Sequence, residues 1–127
     1  MKSNPVRWFE IYVQDLARAR KFYEAVFQCR LEKLEAPDIG ADIELWAFPA
    51  DKESFGSGGA LVRIPGVPSG GMGTLVYFAC EDCAVEEARA EKAGGRVEHR
   101  KMAIGPYGFI SHVEDTEGNM IGLHSLR

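Results

Sequence analysis

Glu10 stands between Trp8 and Tyr12 in a run, Val6 to Val13, whose side chains alternate in kind. Alternation at a period of two puts Trp8, Glu10 and Tyr12 on one face of a strand and Phe9, Ile11 and Val13 on the other. A carboxylate among aromatic rings is a candidate acid, base or ligand anchor, because apolar surroundings disfavour its charged form. The other groups able to do chemistry are Tyr77, the histidines His99, His112 and His124, and the thiols Cys80 and Cys83. Those two cysteines have C-x-x-C spacing before a helical segment, where a helix N-terminus lowers a thiol's proton affinity. The plainer reading makes them, with Cys29, small apolar core residues. His99 lies in the polar stretch Glu98-His99-Arg100-Lys101 and is read as solvated.

A duplicated frame has to position these groups. After the first strand, Asp15 caps a helix whose Leu16, Ala19, Phe22, Tyr23, Val26 and Phe27 recur at spacings of three and four, one apolar stripe against a sheet. Thr74 to Cys80 reads as a second such strand, Asp82 as its cap, and Ala84 to Ala93 as a helix stopped by Gly94-Gly95. The two caps are 67 residues apart, and that offset lays Trp8 on Leu75, Glu10 on Tyr77 and Tyr12 on Ala79. Each helix is followed by three strand-like segments: Leu31 to Leu34, Ile43 to Phe48 and Ala60 to Ile64, then Arg96 to Met102, Phe109 to Glu114 and Asn119 to Ser125. The last two are joined by the turn sequence Asp115-Thr116-Glu117-Gly118-Asn119.

The expected fold class is therefore α+β: two βαβββ modules, about 5–64 and 73–127, joined by a breaker-rich linker over 65–72. Curling both sheets into one cup would hide their apolar faces and leave a concave place for a small molecule. Asp51 to Gly59 reads as a loop at its mouth, and Ile104 to Gly108 as a tight turn that is either a lid or a plain connection.

At 127 residues, with 46% hydrophobic and 27% charged residues, the chain has the size and composition of one soluble globular domain. A net charge of −4, with the basic residues scattered, offers no footprint for nucleic acid. No apolar run is long enough for a bilayer, and the opening residues lack the apolar core of a signal peptide. Three cysteines are too few for a disulfide framework, so the cytoplasm is the expected compartment.

The stretches Phe9-Glu10-Ile11-Tyr12-Val13-Gln14-Asp15-Leu16 and Lys21-Phe22-Tyr23-Glu24-Ala25-Val26-Phe27, and the ending from Gly108-Phe109-Ile110 through Glu114 to Leu123, resemble the vicinal oxygen chelate superfamily. This is the superfamily of glyoxalase, bleomycin-resistance proteins and extradiol dioxygenases, and the resemblance is to its glyoxalase-related members of unassigned substrate. It implies the cupped fold, a homodimer, and a divalent metal held from the first and last strands of each module. The positions that the resemblance assigns to ligands hold Trp8, Leu75 and Gly122, with Leu61, Val62 and Arg63 in the last strand of the first module. Indole, isobutyl and hydrogen have no lone pair for a metal, so the standard metal and any other cofactor are expected to be absent. One register step along, Glu10, Tyr77 and His124 are expected to face the cup, walled by Trp8, Tyr12, Trp46, Leu75 and Gly122. Glu10 and His124 then form an acid–base pair or a grip on a ligand with Tyr77 as donor; the structural alternative is that they satisfy each other. A divalent ion on Glu10, His112 and His124 is a further alternative. The expected function is binding of a small oxygenated or aromatic metabolite, the competing one a lyase or isomerase using Glu10 and His124.

Overall fold

The computed structural model describes residues 3–40, 42–70, 73–116 and 119–127. The described residues form two compact units, one spanning Trp8–Thr74 and the other uniting the stretch through Arg7 with Leu75–Arg127. Gly71 and Met72 of the expected linker, and Glu117 and Gly118 of the expected turn, lie outside the described residues.

The first unit is built on β1 (Val6–Tyr12) from Trp8 onward, α1 (Leu16–Phe27), β2 (Glu32–Leu34), β3 (Glu44–Ala47) and β4 (Gly58–Arg63). Its strands run in the order β2-β3-β4-β1. β4 lies parallel to β1, while β2, β3 and β4 are joined antiparallel. The Asp15 carboxylate accepts the Arg18 N–H at 3.0 Å, satisfying a donor that the first turn of α1 would leave orphaned. The helix ends at Gln28, whose left-handed φ of 52° lets its N–H reach back to the Glu24 carbonyl. Leu16, Ala19 and Tyr23 turn inward onto Ile11, Leu31, Leu61 and Phe48, which is the apolar stripe read from the spacing. The opposite face of the same sheet carries Trp8, Tyr12, Leu45, Ala60 and Val62. Asp15→Ala is expected to lower stability by about 1 kcal/mol, the usual worth of such a cap. Thermal unfolding followed by circular dichroism checks this; an unchanged midpoint would show that the cap bond adds nothing.

The second unit repeats the plan with β5 (Thr74–Ala79), α2 (Cys83–Lys92), β6 (Arg96–Ala103), β7 (Phe109–Glu114) and β8 (Met120–Ser125). The strand order is β5-β8-β7-β6, with β5 and β8 parallel and β6, β7 and β8 joined antiparallel. Asp82 caps α2 through the Ala84 N–H and also takes the Lys101 ammonium at 2.8 Å. Gly94, at a φ of 102°, ends the helix where the sequence placed its stop. Cys80, Cys83, Val113 and Leu123 form the core beneath α2. Among the described residues no helix is long and apolar enough to cross a membrane.

Candidate functional site

Strand alternation brings Trp8, Glu10 and Tyr12 to one face of β1, opposite Gly58, Ala60 and Val62 of β4. There the Tyr12 hydroxyl donates to Glu10 Oε1 at 2.7 Å and the Trp8 indole N–H to Oε2 at 3.3 Å. Each carboxylate oxygen thus meets an aromatic donor, among Leu45, Ala60 and Val62. Burial raises the Glu10 carboxyl above its ordinary value, and the bonds from Tyr12 and Trp8 only partly oppose the shift.

Trp46 corrects an expectation. It pairs with Leu61, which pairs with Ile11, so its indole lies on the helix face of the sheet and not beside Trp8. The Arg20 guanidinium of α1 covers it, 3.5 Å from the ring centroid, a cation–π contact in place of a ligand wall.

In the second unit, Tyr77 of β5 is 6% exposed and its ring lies across Gly122, its parallel partner on β8. A Cβ added at Gly122 would stand 2.8 Å from Tyr77 Cγ and nearer still to Cδ1 and Cε1. The Tyr77 hydroxyl is 2.8 Å from His112 Nε2 on β7, and His112 Nδ1 is 3.3 Å from His99 Nδ1 on β6. Burial, and then the nearby His99, push the His112 imidazole down to about 4. His99, read from the sequence as solvated, is exposed and meets the half-buried His112 ring edge-on. Leu75, one alternation step from Tyr77, is buried.

His124 has a different setting. Its Nε2 lies 2.6 Å from the Tyr107 carbonyl, which can only accept, so Nε2 carries the hydrogen. Nδ1 then accepts from the Arg7 guanidinium at 3.2 Å. Burial lowers the imidazole's proton affinity and the Arg7 charge adds to this, against the Tyr107 bond. Glu10 and His124, expected to address one another, thus each have their polar atoms engaged inside their own unit. The Ile104 to Gly108 segment that supplies the Tyr107 carbonyl is a 3₁₀ turn over Gly105–Tyr107, closed by Ile104 N–H to Gly108 O at 2.9 Å.

Cys83 is fully buried at the start of α2, and Cys80 is 8% exposed. Burial, with the neighbouring Glu86 charge, pushes the Cys80 thiol up to about 11, the direction opposite to that of a reactive thiol. The core reading of this pair is the one its surroundings support.

Residues 6–123 match the family model of the Glyoxalase/Bleomycin resistance protein/Dioxygenase superfamily, and the chain belongs to that superfamily. Among curated proteins nothing matches it significantly. A hypothetical protein from Bacillus halodurans C-125 is similar in structure, with a TM-score of 0.72 at 12% identity over 99% of this chain and 96% of the other. A variant of Streptomyces coelicolor methylmalonyl-CoA epimerase, in complex with 2-nitronate-propionyl-CoA, gives 0.69 at 18% identity over 96% of each chain. The Mycobacterium tuberculosis methylmalonyl-CoA epimerase gives 0.69 at 15% identity over 97% of this chain and 88% of the other. These likenesses establish a shared α+β fold.

Members of the superfamily commonly hold a divalent metal. The residues here do not fit one at the expected positions: Trp8, Leu75 and Gly122 bring no donor, and the Tyr77 ring fills the space into which a side chain at 122 would project. Among the described residues no three His, Cys, Asp or Glu side chains gather as a metal-binding group.

Proposed function

We propose that the chain binds a small oxygenated or aromatic metabolite on the β1 face of its first unit, with Glu10 as polar anchor and Trp8 and Tyr12 as walls. The observation that carries this reading is the half-buried Glu10 carboxyl held between an indole N–H and a phenol hydroxyl. Aromatic surface with one oriented polar group is the usual make-up of a small-molecule site. A second reading, an isomerase or lyase working by proton transfer, is favoured by the raised proton affinity of Glu10, which brings a carboxyl nearer to neutral-pH base work. The shared fold with two methylmalonyl-CoA epimerases is compatible with it.

Native mass spectrometry of the full chain, purified without tag or chelator, tests the proposal. The expected result is a co-purified organic molecule that Glu10→Gln holds about tenfold more weakly or worse, a loss of roughly 1.4 kcal/mol. A stoichiometric divalent ion, or equal retention by the variant, would overturn it.

The same substitution has a signed effect on stability. Because the folded state raises the Glu10 pKa, its burial is least unfavourable below the unfolded value, and the wild type loses stability as pH rises through the folded one. The stability of Glu10→Gln relative to wild type is therefore expected to climb from pH 4 to pH 7, in urea titrations run across that range.

A further inference from the structure

We propose that the cleft at the carboxyl ends of β5 and β8 binds a small organic monocarboxylate, with the anionic group on the Arg7 guanidinium and the apolar part on Leu126. The inference is independent of the Glu10 anchor, because every residue it uses belongs to the second unit. β5 and β8 are parallel neighbours, with Ala79 beside His124. Cys80 and Glu81 follow the end of the one strand, Leu126 and Arg127 the end of the other, and with Arg7 they line a cleft of about 460 Å³. Where parallel strands end side by side and the chain turns away, the open end of the sheet is a place for a ligand. The volume is in the range of small-molecule sites, roughly 300–1,000 Å³.

The charge of Arg7 is what calls for an anion. Arg20, Arg63, Arg96 and Arg100 each face a carboxylate. Arg18, Arg30, Arg89 and Arg127 are exposed, so water meets their charge. Among the described residues Arg7 alone is a half-buried arginine without an ion pair. Taking a charge part-way out of water is unfavourable unless an opposite charge meets it. Arg7 has only the neutral His124 Nδ1, at 3.2 Å, and that nitrogen accepts because Nε2 gives its hydrogen to the Tyr107 carbonyl at 2.6 Å. The bond engages one of several guanidinium donors and cancels none of the charge. Tyr107, through His124, thus sets the guanidinium in place and leaves its other donors to the cleft that Arg7 lines.

The rest of the lining decides the class of ligand. A guanidinium fork matches the two oxygens of a carboxylate through parallel N–H···O bonds. Arg127 brings a second cation to the same cleft. Glu81 lines it too, so a further negative charge on the ligand would be repelled, which favours a monocarboxylate over a phosphate or a dicarboxylate. Leu126 is 73% exposed, and burial keeps the Cys80 thiol uncharged, so the remainder of the ligand meets apolar surface.

The test is an NMR titration of the ¹⁵N-labelled full chain with isovalerate at constant ionic strength. The expected result is saturable shifts at the Arg7 Nε–H and at the Cys80, Glu81 and Leu126 amides, with none for isovaleramide, which has the same shape and no charge. Arg7→Gln, which can still donate to His124 Nδ1, is expected to weaken binding about tenfold or more, the worth of a charge-assisted bond. Arg127→Gln, changing an exposed cation, is expected to weaken it about threefold. The isovaleramide comparison is made on the wild type, so it stands whatever the stability of the variants. No saturable shift in the wild type, equal affinity for isovaleramide, or undiminished affinity in folded Arg7→Gln would overturn the proposal. So would shifts centred on Glu10 in place of Arg7, or inorganic phosphate binding more tightly than isovalerate.

Discussion

Glu87→Ala is expected to destabilise the protein by about 3–4 kcal/mol, seen as a lower urea midpoint with an unchanged slope. Glu87 is a carboxylate of α2 that is only 7% exposed, and its oxygens hold the helix to two strands. Oε1 accepts the Lys101 backbone N–H at 2.6 Å and the Ser111 hydroxyl at 2.8 Å, and Oε2 the Arg100 guanidinium at 3.2 Å. The ladder between β6 and β7 is irregular from His99 to Met102, and within that stretch the Lys101 N–H has turned to Glu87. Ser111 is fully buried, its oxygen also 3.1 Å from the His99 carbonyl. Alanine would strand a backbone donor and weaken the setting of a buried hydroxyl, each worth about 1–3 kcal/mol. Arg100 is largely exposed and adds little. Glu87→Gln, which keeps an acceptor, is expected to lose about half as much; a Glu87→Ala loss below about 1 kcal/mol would refute the strut.

Glu87 also marks what the sequence leaves illegible. With Glu86 and Glu91 it reads as the solvated face of a helix, yet it points into the unit while Glu91 stays exposed. Helical spacing says which residues share a face, and a charged stripe beside an apolar one gives no sign that one member turns inward. The frame itself was legible, because it rests on strong local signals: two Asp caps, period-two strands and the 67-residue repeat all correspond to elements within a residue or two. The face of β1 was legible for the same reason, since Trp8, Glu10 and Tyr12 alternate with Phe9 and Ile11.

Trp46 was not legible. Ile43 to Phe48 is nearly continuous in apolar residues, so periodicity cannot tell its faces apart; the register to Leu61 and Ile11 does. His99 escaped because β6 carries register shifts on both sides of it, and a count by twos fails across a bulge. His112 and Tyr77 lie 35 residues apart, and only the pairing of Gly122 with both strands brings them together. The Arg7 guanidinium and the Tyr107 carbonyl occupy the two ring nitrogens of His124, partners that strand alternation gives no sign of.

Gly122→Ala is expected to cost about 2–3 kcal/mol, the range for forcing a methyl into filled space. The same change should cost less than about 0.5 kcal/mol when Tyr77 is already alanine. The reasoning is geometric: the new Cβ would lie 2.8 Å from Tyr77 Cγ and closer to two further ring atoms, a separation that real carbons do not keep. The ring cannot step aside without leaving its bond to His112, and it is too buried to swing into water. Tyr77→Ala alone is expected to lose about 3–5 kcal/mol through the cavity it opens. A methyl at 122 would then point into that cavity, so the two changes should be coupled by roughly 2 kcal/mol in a double-mutant cycle measured by urea unfolding. Equal costs of Gly122→Ala in the two backgrounds would mean that the backbone, not the tyrosine ring, demands glycine. Coupling of the expected size would mean that the tyrosine ring has taken the space into which a side chain at 122 would project, so that any larger residue there would first have to displace Tyr77.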